Sequence, residues 1–109
     1  MIKAAFLGTR DHFTGFYVVG HAGYGEYGKD IVCSGVSALS VSAVNALSKR
    51  LKDRLIWGQT EGFLFAKLSN QLSQKEAEAS QIILDSLYEG MQSVEKQYGK
   101  YLKVVLQEV

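Results

Sequence analysis

A chain of 109 residues, of which 47% are hydrophobic and 21% charged, can form one domain around one core. Its twelve basic and eleven acidic residues give a net charge of +1, without the basic surplus of a nucleic-acid binder. The single cysteine excludes an internal disulfide and a cysteine-rich zinc site. With no signal peptide and no apolar run near the roughly 18 residues of a membrane span, we expect a cytoplasmic protein without membrane contact.

The first half of the chain predicts a hairpin, a loop and a helix. An apolar run at 2–7 and an aromatic, β-branched run at 13–20 flank a polar turn at 8–12, which favours two antiparallel strands. The glycines within 21–29 favour a loop. Asp30 is a good helix N-cap, and apolar residues then recur every three or four positions, which predicts an amphipathic helix.

A second apolar pair follows this helix. Residues 55–57 and 63–68 predict two strands, and the glycine-flanked segment 58–62 between them predicts a turn. Trp57 and Met91 are expected in the core, since large apolar side chains are usually buried.

A second helix and a last strand complete the pattern. Ser73 with Glu76 forms a capping box, Gly99 ends the helix that it starts, and 101–106 predicts a strand. The order β-β-α-β-β-α-β predicts a single α+β domain over 1–109: a two-layer α/β sandwich, with two helices on one face of a mostly antiparallel sheet. The other face would suit a partner such as a second copy, as in a homodimer.

Cys33 and His21 carry the chemistry that the sequence suggests. Cys33 falls in the first turn of the predicted helix, where free N–H groups and the helix dipole favour a thiolate. His21 ends a predicted strand before the loop, so its imidazole can reach back to the thiol as a base. An inert buried cysteine and a structural histidine are the alternative interpretations. Nearby glycines leave the backbone open to an extended peptide, and N–H groups at the helix start can stabilise an oxyanion.

Residues 20–37 fit the pattern GHA-x-YG-x-x-G-x-DIVC-x-x-VS at every fixed position. In this motif, and in the order of its strands and helices, the chain resembles the ribosomal-processing cysteine protease family, Prp. The resemblance implies that His21 and Cys33 are catalytic and that Asp30 and Ser37 support the site. The substrate loop that the same motif implies contains Gly20, Gly23, Tyr24, Gly25 and Gly28.

The resemblance also implies a substrate. Members of this family remove a short N-terminal extension from large-subunit ribosomal protein twenty-seven, cutting after a hydrophobic, phenylalanine-rich stretch, and they are homodimers. Neither a cofactor nor a metal is expected. Asp30 can cap the helix or orient His21, and the sequence leaves both roles open. The chain departs from the commonest form at Ser34 and Gly35, where many members have two alanines.

Three other functions are weighed against this one. Residues 23–29 fit the phosphate-loop pattern G-x-x-x-x-G-K, but Asp30 stands where a Mg²⁺-binding Ser or Thr belongs, and Glu26 would repel phosphates. A metal site would have only His12, His21 and Cys33 as soft ligands, and no two of them have the close spacing of a zinc motif. A non-catalytic ribosome-assembly or peptide-binding module has no chemical need for a thiol at a helix start.

Overall fold

The computed structural model describes residues 1–25 and 30–108. Its elements are β1 (Ile2–Thr9), β2 (His12–Gly20), α1 (Ile31–Leu51), a 3-10 turn (Lys52–Arg54), β3 (Leu55–Thr60), β4 (Phe63–Leu68), α2 (Gln74–Tyr98) and β5 (Leu102–Gln107). The strands form one sheet in the order β3-β4-β2-β1-β5. All neighbours are antiparallel except β1 and β5, which are parallel because α2 carries the chain back across the sheet. The predicted α+β architecture is confirmed.

Both helices begin where the sequence predicts. Asp30 caps α1 with its carboxylate. At the start of α2, Ser73 Oγ accepts the N–H of Glu76 at 3.1 Å, and Glu76 Oε1 accepts the N–H of Ser73 at 2.9 Å. This reciprocal capping box satisfies two donors that the first helical turn leaves unpaired. Gly99 follows the last helical residue, as predicted.

The core lies between the helices and one face of the sheet. On β1 the side chains of Ile2, Ala4 and Phe6 are buried there, as the two-residue repeat of a strand requires. The ring of Phe6 packs edge-on against Tyr88 of α2 at 5.1 Å between centroids. Met91 is completely buried, as predicted. Each such side chain contributes roughly 1.5–3 kcal/mol by leaving water, and together they fix the helices on the sheet.

The first three strands are longer than predicted, while β4 has the predicted bounds and β5 is shifted by one residue. The turn between β3 and β4 is reduced to Glu61 and Gly62, because Gly58 and Thr60 pair with Phe65 and Phe63 in the ladder. The predicted turn over 58–62 is therefore wrong at its first three positions. The turn between β1 and β2 shortens in the same way. A ladder partner supplies backbone hydrogen bonds to residues whose own propensity is weak, and the sequence does not reveal that partner.

Trp57 is not in the core. Its side chain is 48% exposed, so the prediction is wrong. Trp57 lies on the helix-facing side of β3, opposite buried Ala66 in the ladder. Since β3 is the edge strand of the sheet, the two helices leave that position uncovered.

The segment Ile31–Arg54 is long and apolar enough to cross a membrane by length and composition. The expectation that no apolar run approaches the length of a membrane span is therefore wrong by these two criteria. In the fold, the apolar stripe of α1 is used inside the core, which includes Val32, Val36, Leu47 and Leu51. A core helix of a globular domain passes the same test of length and composition, so this segment is weak evidence for a span.

The sheet face opposite the helices carries aromatic side chains. The rings of Tyr17 and Phe63 lie 6.3 Å apart, and those of Phe63 and Phe65 lie 6.0 Å apart. Lys3 places its ammonium 5.6 Å from the centroid of Tyr17. Within the part of the chain that the structure describes, both helices pack on the other side.

Candidate active site

Asp30 organises the start of α1. Its Oδ1 accepts the N–H groups of Val32 and Cys33, both at 3.0 Å, and its Oδ2 accepts the N–H of Tyr24 at 2.9 Å. Its own carbonyl accepts the N–H of Ser34 at 3.0 Å. The carboxylate is 6% exposed. The predicted cap is confirmed, and the same side chain ties the loop before it to the helix.

The electrostatics of Asp30 follow from these contacts. Burial raises the pKa of its carboxyl, but the backbone N–H donors around it, that of Cys33 foremost, outweigh burial and hold the pKa below its ordinary value. Asp30 is therefore a carboxylate at neutral pH. The N–H groups of Val32, Cys33 and Ser34 all donate to Asp30. These are the helix-start groups that were predicted to stabilise an oxyanion, and they are already paired.

The thiol of Cys33 lies between the helix and the end of β2. It is partly buried, and its Sγ accepts the backbone N–H of Ala22 at 3.3 Å. Ala22 directly follows His21, so this hydrogen bond brings the strand end that carries the imidazole to the thiol.

The side chain of His21 is exposed, and His21 directly follows Gly20, the last residue of β2. Gly20 has φ +102°, and a Cβ there would lie 2.4 Å from the carbonyl oxygen of Met1, so no other residue fits. The N–H of Gly20 donates to the carbonyl of Gly62 at 2.9 Å. The imidazole then lies over Gly62, where a Cβ would be 3.0 Å from His21 Nε2.

A cavity of about 570 Å³ opens at these residues. His21, Asp30, Cys33 and Ser37 all line it, so the structure brings the four predicted site residues to one place. Gly20, Gly23 and Gly25 line it too. The wall opposite the helix is formed by the end of β3, its turn and the start of β4, with the residues Gln59, Thr60, Glu61, Gly62, Phe63 and Leu64.

Tyr24 holds the near end of the loop by its ring. The ring contacts Tyr98 and Tyr101 edge-on, with centroids 5.5 and 5.0 Å away. Tyr24 thus links the loop to the end of α2 and the start of β5. Gly28, also predicted in the substrate loop, lies outside the described residues, as does much of the phosphate-loop match at 23–29.

Ser37 lies one helical turn after Cys33 and is exposed at the cavity. Among residues 1–25 and 30–108, no three His, Cys, Asp or Glu side chains group as a metal site. The geometry suits acyl transfer, because a thiol and an imidazole line one open cavity.

The cavity wall formed by the β3–β4 hairpin (59–64), here called the hairpin wall, was not predicted from the sequence. The turn at Glu61 and Gly62 was predicted, but its place in the cavity depends on β4 lying beside β2. The antiparallel register of those strands pairs Val19 with Phe63, which sets the β3–β4 turn next to His21. Only the strand order could have revealed this, and no local pattern encodes it.

Comparison with known proteins agrees with this chemistry. A family model described as cysteine protease Prp matches residues 1–103. The ribosomal processing cysteine protease Prp of Bacillus subtilis (strain 168) is 27% identical over 107 residues, covering 95% of this chain and 96% of that protein. The protein of the same name from Staphylococcus aureus (strain Mu50) is 35% identical over 86 residues, covering 78% of each.

A solved structure resembles the whole fold. It is the ribosomal processing protease Prp from S. aureus in complex with a covalently linked product peptide. The similarity has a TM-score of 0.84 at 25% identity and covers 98% of this chain and 100% of that one.

Proposed function

Because the chain belongs to the Prp family of cysteine proteases and is itself a cysteine protease, we propose that it processes a ribosomal protein precursor with Cys33 as nucleophile and His21 as base. The observation that carries this proposal is the hydrogen bond from the Ala22 N–H to Cys33 Sγ. It joins the strand end of His21 to the thiol at a helix start, beside a cavity that both residues line.

The first step forms an acyl-enzyme. His21 takes the proton of Cys33, and the thiolate attacks the carbonyl carbon of the scissile bond. The tetrahedral oxyanion collapses, the C–N bond breaks, and the His21 imidazolium gives its proton to the leaving amine. The covalently linked product peptide of the S. aureus relative supports such a covalent route here.

The second step releases the acyl group. A water molecule attacks the thioester, His21 takes its proton, and the C–S bond breaks to return the thiolate. Asp30 supports both steps through the cap and the Tyr24 N–H, which hold the helix start and the loop together. Ser37 adds a hydroxyl to the cavity wall next to the helix start.

The substrate we propose is the precursor of large-subunit ribosomal protein twenty-seven, cut after the hydrophobic, phenylalanine-rich stretch of its N-terminal extension. The relatives carry the name ribosomal processing protease. The cavity offers Val18, Val36 and Leu64 as apolar lining for such side chains. Glycines at its mouth leave room for an extended backbone.

The test is a cleavage assay read by mass spectrometry. Wild type and Cys33→Ala are each mixed with the extended ribosomal protein. We expect one cut after the phenylalanine-rich stretch with wild type and none with Cys33→Ala, whose circular dichroism and melting curve stay close to wild type. Cleavage by Cys33→Ala would remove Cys33 from the mechanism, and no cleavage by wild type would reject this substrate.

We also propose that the protein works as a homodimer in the cytoplasm, as its resemblance to the family implies. The aromatic sheet face with Tyr17, Phe63 and Phe65 is the surface that supports it, because large apolar groups on a sheet face favour association. Light scattering during size-exclusion chromatography tests this, and a monomer mass at micromolar concentration would refute it.

A further inference from the structure

The turn between β3 and β4 lies against the imidazole of His21. Gly62 has φ +75°, in the left-handed region that side chains rarely adopt. A Cβ at this position would lie 3.0 Å from His21 Nε2 and 3.6 Å from both Cδ2 and Cε1. The three nearest heavy atoms to such a Cβ all belong to this one ring, so the imidazole rests directly on the bare backbone of Gly62.

A hydrogen bond fixes this turn to the strand that carries the histidine. The carbonyl of Gly62 accepts the N–H of Gly20 at 2.9 Å. Gly20 directly precedes His21 and has a backbone that only glycine fits. The turn therefore holds both the chain just before His21 and the ring itself, from a segment about forty positions away in sequence.

We propose that Gly62 is a positioning residue of the base: its missing side chain sets how far the His21 ring lies from the hairpin and so how it faces Cys33. This inference rests on the proposed Cys33 and His21 chemistry. Gly62 has no side chain and lines the cavity only with its backbone, so its effect on the reaction acts through the imidazole. A methyl group there pushes the ring away from the hairpin by a few tenths of an ångström, because a 3.0 Å contact is tighter than nearly all packed Cβ contacts.

The expected consequence concerns proton transfer. A displacement near 1 Å in a catalytic group can cost about 10²-fold in rate. The ring has to move by a few tenths of an ångström, so Gly62→Ala should lower kcat by about 3–10-fold while changing KM by less than about 2-fold. The alkylation rate of Cys33 by iodoacetamide should fall near neutral pH, since a misplaced imidazolium stabilises the thiolate less.

Gly58→Ala is the matched control. Gly58 lies in the same hairpin, and a Cβ there would lie 2.8 Å from the ring of Phe65, on the face away from the helices. Both substitutions place a methyl group against a ring, but only Gly62→Ala meets His21. We expect Gly58→Ala to lower the melting temperature while keeping the wild-type pH profile of kcat/KM and of alkylation.

Each outcome decides the proposal. Gly62→Ala with the pH profile of Gly58→Ala overturns it. If Gly62→Ala fails to fold, Gly62→Asn replaces it, since asparagine tolerates the left-handed region but still carries a Cβ. A folded Gly62→Asn with wild-type alkylation and turnover overturns the proposal as well.

The His21→Ala background separates this proposal from the proposed function. If Gly62 acts through the imidazole, Gly62→Ala slows the alkylation of Cys33 in the wild-type chain and adds almost nothing in His21→Ala. Equal slowing in both backgrounds overturns the positioning role while leaving His21 as base. Wild-type turnover by His21→Ala itself would instead reject the base, and the positioning role with it.

Discussion

The two residues of the proposed catalytic pair, Cys33 and His21, are held in different ways. Cys33 lies at a helix start where Asp30, three positions earlier, binds the N–H groups of the first turn. His21 lies at a strand end that is held by Gly62, far along the chain. The nucleophile is thus built from short-range contacts, while the base depends on how two hairpins meet in the sheet.

This difference predicts how substitutions at the two positions will act. A helix cap forms with its helix and needs no distant partner. The contact between His21 and the β3–β4 turn forms only after β4 has paired with β2. Any change to the register of these two strands therefore moves the imidazole. Substitutions near Cys33 should therefore alter stability or charge locally, whereas substitutions around His21 should alter geometry and rate.

Removing the base is the largest expected effect. His21→Ala should lower kcat/KM by about 10²–10⁴-fold, because no group then takes the thiol proton or protonates the leaving amine. His12→Ala is the control, since His12 is exposed at the opposite end of β2. Peptide turnover from about pH 5 to about pH 9 measures both. Equal activity of the two variants would contradict the role of His21.

Removing the charge of the cap comes next. Asp30→Asn leaves one oxygen for the helix but no second acceptor for the Tyr24 N–H, so the free energy of unfolding should fall at neutral pH. Because the folded pKa of Asp30 is lowered, its contribution is complete above the unfolded pKa near 3.9 and is lost as pH falls through the folded value.

The same variant therefore has a pH signature. Urea unfolding of wild type and Asp30→Asn should differ clearly at about pH 7, and the difference should shrink below about pH 4. A difference that stays constant over this range would show that charge plays no part in the cap.

A smaller effect is expected at the loop. Tyr24→Leu keeps an apolar side chain but loses the edge-on contacts with Tyr98 and Tyr101, each worth about 0.5–1.5 kcal/mol when fully buried and less at this partly exposed site. We expect a drop of about 1 kcal/mol in unfolding free energy and a lower kcat/KM. Urea unfolding and turnover measure these, and unchanged values in both would contradict the anchoring role of Tyr24.

The smallest expected effect is a gain in the free energy of unfolding. A Cβ at Gly35 would meet no heavy atom within 4 Å, and the residue lies in α1. Gly35→Ala should therefore raise the unfolding free energy by roughly 0.5–1 kcal/mol, since alanine loses less entropy in a helix. Thermal unfolding checks this, and a decrease would show a constraint at the helix start that the structure does not display.

Structural features that depend on neighbouring residues can be predicted from the sequence alone. The N-cap at Asp30, the capping box at Ser73, the two-residue strand repeat and the place of Cys33 in a first helical turn all depend on neighbours within four positions. The motif at 20–37 determined the family, because its spacing is specific at every fixed position.

Other features depend on the order of the strands in the sheet and are seen only in the folded structure. The exposure of Trp57, the extra ladder residues at Gly58–Thr60 and the hairpin wall beside His21 all follow from β4 lying between β2 and an edge strand. Such contacts join residues distant in the chain, and packing selects them only when the whole sheet has formed.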